Sequence, residues 1–303
     1  MLLVFIADNT VVSIKTKSYV DIILLLAGLC MFNNEFFNSS LPINMGDIES
    51  RLDQAWIYIN ERKVSLAQQA CQSINQNFPT SADGWYATSF LAFQLKQLSI
   101  AISTIDKAIA LQPNNLQWQL QKVNTLLSMS DKDQAIKLAK NLKSQPLNDI
   151  RMCCDFAAMF TTLTDYQQAS FYYQQALTAV NEKQQPKQCG QLYFNLASVE
   201  RYQGNVELAE QHLNQAILLN PADFEAYLLR SSLKKKNEVS NHIKQLEQVL
   251  TRKIEHPIGK AQLHYALAKE QEDLGLFSQS FQNLQLGSKA RRAHMRYDVA
   301  HDL

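Results

Sequence analysis

The chain has 303 residues, 46% hydrophobic and 19% charged, which fits a folded soluble protein and excludes a disordered one. Its formal net charge of +1 gives no bulk electrostatic reason to expect a nucleic acid or membrane partner. Eight glycines and seven prolines are too few for a turn-rich β architecture, and with plentiful Ala, Leu and Gln they favour helices.

Residues 1–44 form an apolar segment unlike the rest. "MLLVFIA" and "VDIILLLAGLCMF" are apolar bursts around Lys15 and Lys17. The second run is about a dozen residues long, short of the ~20 a spanning helix needs. No A-x-A-like site follows, and Leu29 precedes Cys30 where a lipoprotein signal wants a small residue. Three readings stay open: a mis-assigned start with translation beginning at Met45, a signal or anchor, or a packed N-terminal segment.

From residue 45 the chain repeats. Aligned on an alanine followed by small or apolar residues four and seven places on, the anchors are Ala67, Ala101, Ala135 and Ala169, each 34 residues after the last. Ala209 comes 40 later, the excess matching the polar insertion "NEKQQPKQ"; Ile243 follows after 34 and Ser280 after 37. Pro79, Pro113 and Pro221 each lie twelve residues after their anchor, where a second helix should end. Each unit reads as a helical hairpin, with Ala197 and Ala209 small so that two helices can approach, and Leu196, Leu213 and Ala216 on one inner stripe. One hairpin cannot bury that stripe alone, so about seven must stack into an all-α solenoid over residues 45–294.

These residues resemble the tetratricopeptide repeat (TPR) family. The pattern departs around Trp118, where the aromatic is one place early, and in Phe224–Pro257, where Arg230 and Ser231 replace the apolar-small pair. The resemblance implies a right-handed superhelix that holds a protein or peptide in a concave groove lined by first helices. Carried over residue by residue, it places Trp56, Tyr86, Phe90, Phe93, Phe194, Arg201, Tyr265 and Lys269 on or near that groove, packing between repeats being the ordinary alternative for the aromatics. A dicarboxylate clamp needs Lys and Asn where this chain has Tyr86, Cys154 and Phe194, then Phe90, Ala158 and Ser198, so none is expected.

No phosphate loop, dinucleotide fingerprint, zinc-protease motif or nucleophile elbow occurs. The six histidines form no compact ligand set, and the five cysteines contain no C-x-x-C pair and read as small buried side chains in a reducing compartment. Glu270, Glu272 and Asp273, and "LKKKNE" at 233–238, read as solvated charge runs. The expectation is a scaffold with no catalysis, cofactor or metal of its own, cytoplasmic unless residues 1–44 are a real signal, with its oligomeric state open.

The end of the chain carries a narrower resemblance. Ala266-Leu267-Ala268-Lys269, Glu272-Asp273-Leu274-Gly275, Phe281, Gly287, Arg291-Arg292 and Tyr297-Asp298 are similar to the last repeat of bacterial TPR-containing sulfotransferases. The resemblance implies a substrate-recruiting module, with residues 295–303 as the start of a linker to a catalytic domain absent from this chain or lost. The alternative is a last hairpin whose Arg291, Arg292 and Arg296 complement the helix dipole.

Overall fold

The computed structural model of the protein describes residues 2–7, 10–15 and 46–295. The start-site and signal readings of the N-terminal segment, and the linker reading of the tail beyond Met295, lie outside the described residues. Within that segment β1 (Leu2–Ala7) and β2 (Thr10–Lys15) pair antiparallel, Leu2 opposite Lys15 and Ala7 opposite Thr10.

Residues 46–295 are all-α, fourteen helices in seven successive pairs along the chain. They are α1 (Gly46–Asn60) with α2 (Val64–Asn77), α3 (Ala82–Gln94) with α4 (Leu98–Leu111), α5 (Leu116–Ser128) with α6 (Lys132–Lys140), and α7 (Ile150–Thr162), followed in the chain by α8 (Tyr166–Ala179). Then come α9 (Pro186–Gln203) with α10 (Val206–Leu219), α11 (Phe224–Ser232) with α12 (Ile243–Leu250), and α13 (Pro257–Asp273) with α14 (Phe277–His294). The chain divides into two compact units: unit 1 holds residues 1–147 and 151–168, unit 2 holds 148–150 and 169–303. None of the described helices is long and apolar enough to cross a membrane.

The repeat has a physical basis at each turn. The fourth residue of the second helix is Ala67, Ala101, Ala135, Ala169 and Ala209 in the first five hairpins, and every one is 0% exposed. Small side chains there let the paired helices touch, and at Ala101 the carbonyl also accepts a 2.8 Å bond from Ser89 Oγ on the facing helix. Five residues before each anchor the backbone turns left-handed, at Arg62, Lys96, Ser130, Thr164 and Gly204, and again at Gly275 before Ser280. The next N–H then donates back to the first helix at 2.8–2.9 Å, as Gln97 does to the Ala92 carbonyl and Asn205 to that of Glu200. This satisfies carbonyls that a helix end leaves open.

The far turns are equally regular. Ser81, Asn115 and Asp223 cap the next first helix by accepting backbone N–H bonds. The proline before them offers its carbonyl to a side chain six residues on: Trp85 Nε1 to Pro79 at 2.8 Å, Gln119 Nε2 to Pro113, and Tyr227 OH to Pro221 at 3.4 Å.

The sixth hairpin differs from the expected register. Ile243 begins α12 and is only half-buried; Leu246 is the fourth residue, 0% exposed, and its N–H donates to the His242 carbonyl at 3.0 Å as the other anchors do to theirs. The interval is therefore 37 residues from Ala209 to Leu246 and 34 from there to Ser280. The cause is a short α11 that stops at Ser232, followed by the irregular connection 233–242.

Candidate functional site

In unit 1 the first helices α1, α3 and α5 bring four aromatics together. The Trp56 ring centroid lies 5.7 Å from that of Tyr86 and 5.3 Å from that of Phe90, edge-on, and Tyr86 stacks on Trp118 at 5.9 Å. Such offset and edge contacts satisfy the ring quadrupoles. Tyr86, Phe90 and Trp118 are 8%, 6% and 1% exposed, whereas Trp56 is half-buried at the rim. Burial pushes the Tyr86 phenol up, against a 3.0 Å bond from Gln117 Nε2 to its oxygen, so it stays neutral. The expected groove residues Tyr86 and Phe90 are thus packed between repeats together with Trp118, whose place is one position early in the repeat, and only Trp56 of the four is part-exposed. Phe93 is 6% exposed and groups with Ala92, Leu98 and Ala101, so it packs within its own hairpin rather than on the cluster.

In unit 2 the expected groove residues do not converge. Phe194 is half-buried against the core that contains Leu213 and Tyr227. Arg201 is exposed, its guanidinium 5.0 Å from the Tyr202 ring centre. Tyr265 OH lies 3.4 Å from Ser288 Oγ, and its ring leaves no room for a Cβ at Gly287, which would sit 2.7 Å from it. Lys269 is occupied: it donates to the Lys234 carbonyl at 3.0 Å and pairs with Asp273.

Part of the two charge runs expected to be solvated forms a polar core. Lys236 is 1% exposed and pairs with Glu210, which also holds Lys234 at 2.7 Å. Glu270 is 0% exposed and accepts from Ser231 Oγ at 2.6 Å and from the His242 backbone N–H, with His242 Nδ1 at 3.1 Å. Asp273 accepts from the Lys236 N–H at 2.8 Å. Arg230, 3% exposed, donates to Asn214 at 2.8 Å and to Gln245. Lys236 and Glu270 are buried because 233–242 is neither helix nor strand and its polar groups need partners, whereas Lys235, Glu238 and Glu272 stay exposed as solvated charges. Burial raises the Glu270 carboxyl, but the His242 and Ser231 bonds outweigh it and hold the group below its ordinary value. The signal was present in Arg230-Ser231, a charged-polar pair where an apolar-small one belonged.

Residues 190–223, from α9 to the start of α11, match the tetratricopeptide repeat family. The Pseudomonas aeruginosa pilF structure aligns with 82% of this chain and 97% of its own at a TM-score of 0.51 and 13% identity. The fold is that of the tetratricopeptide repeat. Other TPR structures align less closely: MamA of Desulfovibrio magneticus RS-1 over 59% of this chain and 98% of its own (TM-score 0.46, 14% identity), and YrrB, a TPR protein with an unusual peptide-binding site, over 60% and 91% (0.45, 15%). No curated protein matches the chain. Among the described residues no three His, Cys, Asp or Glu side chains gather as a metal would require.

Proposed function

We propose that the chain is a protein-interaction scaffold of the TPR type, which holds a peptide with an apolar anchor against the first helices of unit 1. The observation that carries this reading is Trp56, a half-buried indole on a floor of buried Tyr86 and Phe90. A rigid aromatic with one open side binds an apolar side chain at little entropic cost. No catalytic step is assigned.

The test is selection of peptides from a displayed library on the purified chain, followed by fluorescence anisotropy. Trp56→Ala should weaken the selected peptide at least tenfold, about 1.4 kcal/mol. Leu218→Ala, at a 71% exposed position on α10, should leave it unchanged. Equal loss in both variants, or in neither, removes the reading.

A second reading, the recruiting module of a sulfotransferase, has narrower support. The last hairpin itself gives structural roles to Asp273, Gly275 and Gly287, but Phe281, Arg291 and Arg292 stay exposed. This reading requires coding sequence for an R-S-G-T-type loop downstream of codon 303; unrelated sequence there excludes it.

A further inference from the structure

Each second helix in the middle of unit 2 has a first helix laid over its outer side. Leu213, four residues after the anchor of α10, is 0% exposed and shares a core with Ala226 and Tyr227 of α11. Leu246 and Val249 of α12 share it with Leu263, Ala266 and Leu267 of α13. On α14 the same register is open: Leu284, four after Ser280, is 42% exposed, Phe281 60% and Phe277 69%. Of α14 only the small Ser280 and Gly287 are buried, which lets it approach α13 closely while its large apolar side chains stay open on the other side.

The open face is chemically graded. Phe277, Phe281 and Leu284 occupy the N-terminal half, and Phe281 and Leu284 share one groove with Ser288, Lys289 and Arg292. Lys289, Arg291, Arg292 and His294 lie toward the C-terminal end, and α14 contains no Asp or Glu. We propose that this face is a docking surface, separate from the aromatic cluster, for an acidic amphipathic helix of another protein, lying where a further first helix would lie. Run antiparallel to α14, such a helix puts its N-terminal carboxylates beside Lys289 and Arg292, where its own dipole also favours them. Its C-terminal apolar stripe then covers Phe281 and Leu284. A second copy of this chain fits poorly. Its α1 carries Asp47, Glu49 and Asp53, but in the register of Ala226, Tyr227 and Arg230 it has Ser50, Arg51 and Gln54, and its α14 repeats the same cations.

The probe is a synthetic helix of about 18 residues with Glu in the first half and Leu or Phe at i, i+3 and i+4 spacing in the second; its control has Lys for Glu. Anisotropy on the full chain should show the Glu peptide binding at least tenfold tighter than the control, weakening from about 50 to about 300 mM salt. Phe281→Glu and Arg292→Glu should each cost tenfold with circular dichroism unchanged, while Trp56→Ala has no effect. Equal binding of the two peptides, or insensitivity to Phe281→Glu, overturns the proposal. So does loss of binding with Trp56→Ala, which would assign the peptide to the other site. A dimer in sedimentation that Phe281→Glu dissociates would make a second copy the occupant and overturn it as well.

Discussion

Glu270→Ala is expected to destabilise unit 2 by about 3–5 kcal/mol, the cost of breaking a buried charged pair by removing one side. The carboxylate is 0% exposed and serves three donors: the Ser231 hydroxyl, the His242 N–H and the His242 ring. It is also the main anionic charge acting on buried Arg230, whose Nε already lacks a hydrogen-bond partner. Each donor stranded without water costs ~1–3 kcal/mol, and partial rearrangement of 233–242 brings the sum back toward that range. Glu270→Gln keeps one acceptor for Ser231 and should cost about 1–2 kcal/mol. The tryptophans give the assay its resolution. All three, Trp56, Trp85 and Trp118, lie in unit 1, so their fluorescence follows that unit while far-ultraviolet circular dichroism follows every helix. At about 2–4 °C per kcal/mol, the dichroism midpoint of the alanine variant should fall by roughly 6–20 °C, and the fluorescence midpoint by less. A variant that melts within about 2 °C of the parent by dichroism would refute the reasoning.

Two further predictions concern a turn and a carboxyl. Thr164 holds a φ of 60° although it is β-branched, so Thr164→Gly should stabilise unit 1 by about 0.5–1 kcal/mol after the greater freedom of glycine in the unfolded chain is subtracted; urea unfolding that shows a loss would contradict this. Burial, then the nearby Asp223 charge, pushes the Glu225 carboxyl from 4.5 up to about 7. Between those values the folded chain keeps a proton the unfolded chain has released, so stability falls as pH rises through the window. Glu225→Gln should remove that slope and be the more stable form at pH ~8; urea midpoints at pH ~5 and ~8 check it, and an unchanged slope would rule it out. Glu210 and Glu270 act with the opposite sign. Burial raises both, hydrogen-bonded partners outweigh it, and their contribution is lost as pH falls below the ordinary carboxylate range.

The parts of this fold that were legible in the sequence are those fixed by steric size. An alanine at the crossing of two helices and a proline past a helix end leave a residue type at a set interval, so Ala67 to Ala209 and Pro79, Pro113 and Pro221 could be read directly. The left-handed turns were less legible, because only Gly204 and Gly275 mark theirs with glycine, and Arg62, Lys96, Ser130 and Thr164 adopt the same backbone unannounced. The polar core was misread because its order is not periodic. Glu210, Lys236 and Glu270 are far apart in sequence and look like surface until the irregular connection brings them together. The aromatic cluster fell between these cases. Tyr86 and Phe90 announced themselves at helical spacing, but nothing local tells an aromatic buried in a cluster from one part-exposed beside it, as Trp56 is.

The sixth hairpin and its neighbours form one heritable block. Exchanging it for a uniform 34-residue unit would delete the groups that Glu210 and Glu270 now serve, leaving two acids stranded on α10 and α13, while Asp273 would keep only Lys269. Any recombination or engineered shuffling of these modules must therefore carry residues from Glu210 to Asp273 as a single cassette. Between Ala67 and Ala135 the hairpins are joined instead by the aromatic cluster and the Gln117–Tyr86 bond, so a cut at Pro79 or Pro113 must keep Trp56, Tyr86 and Trp118 compatible.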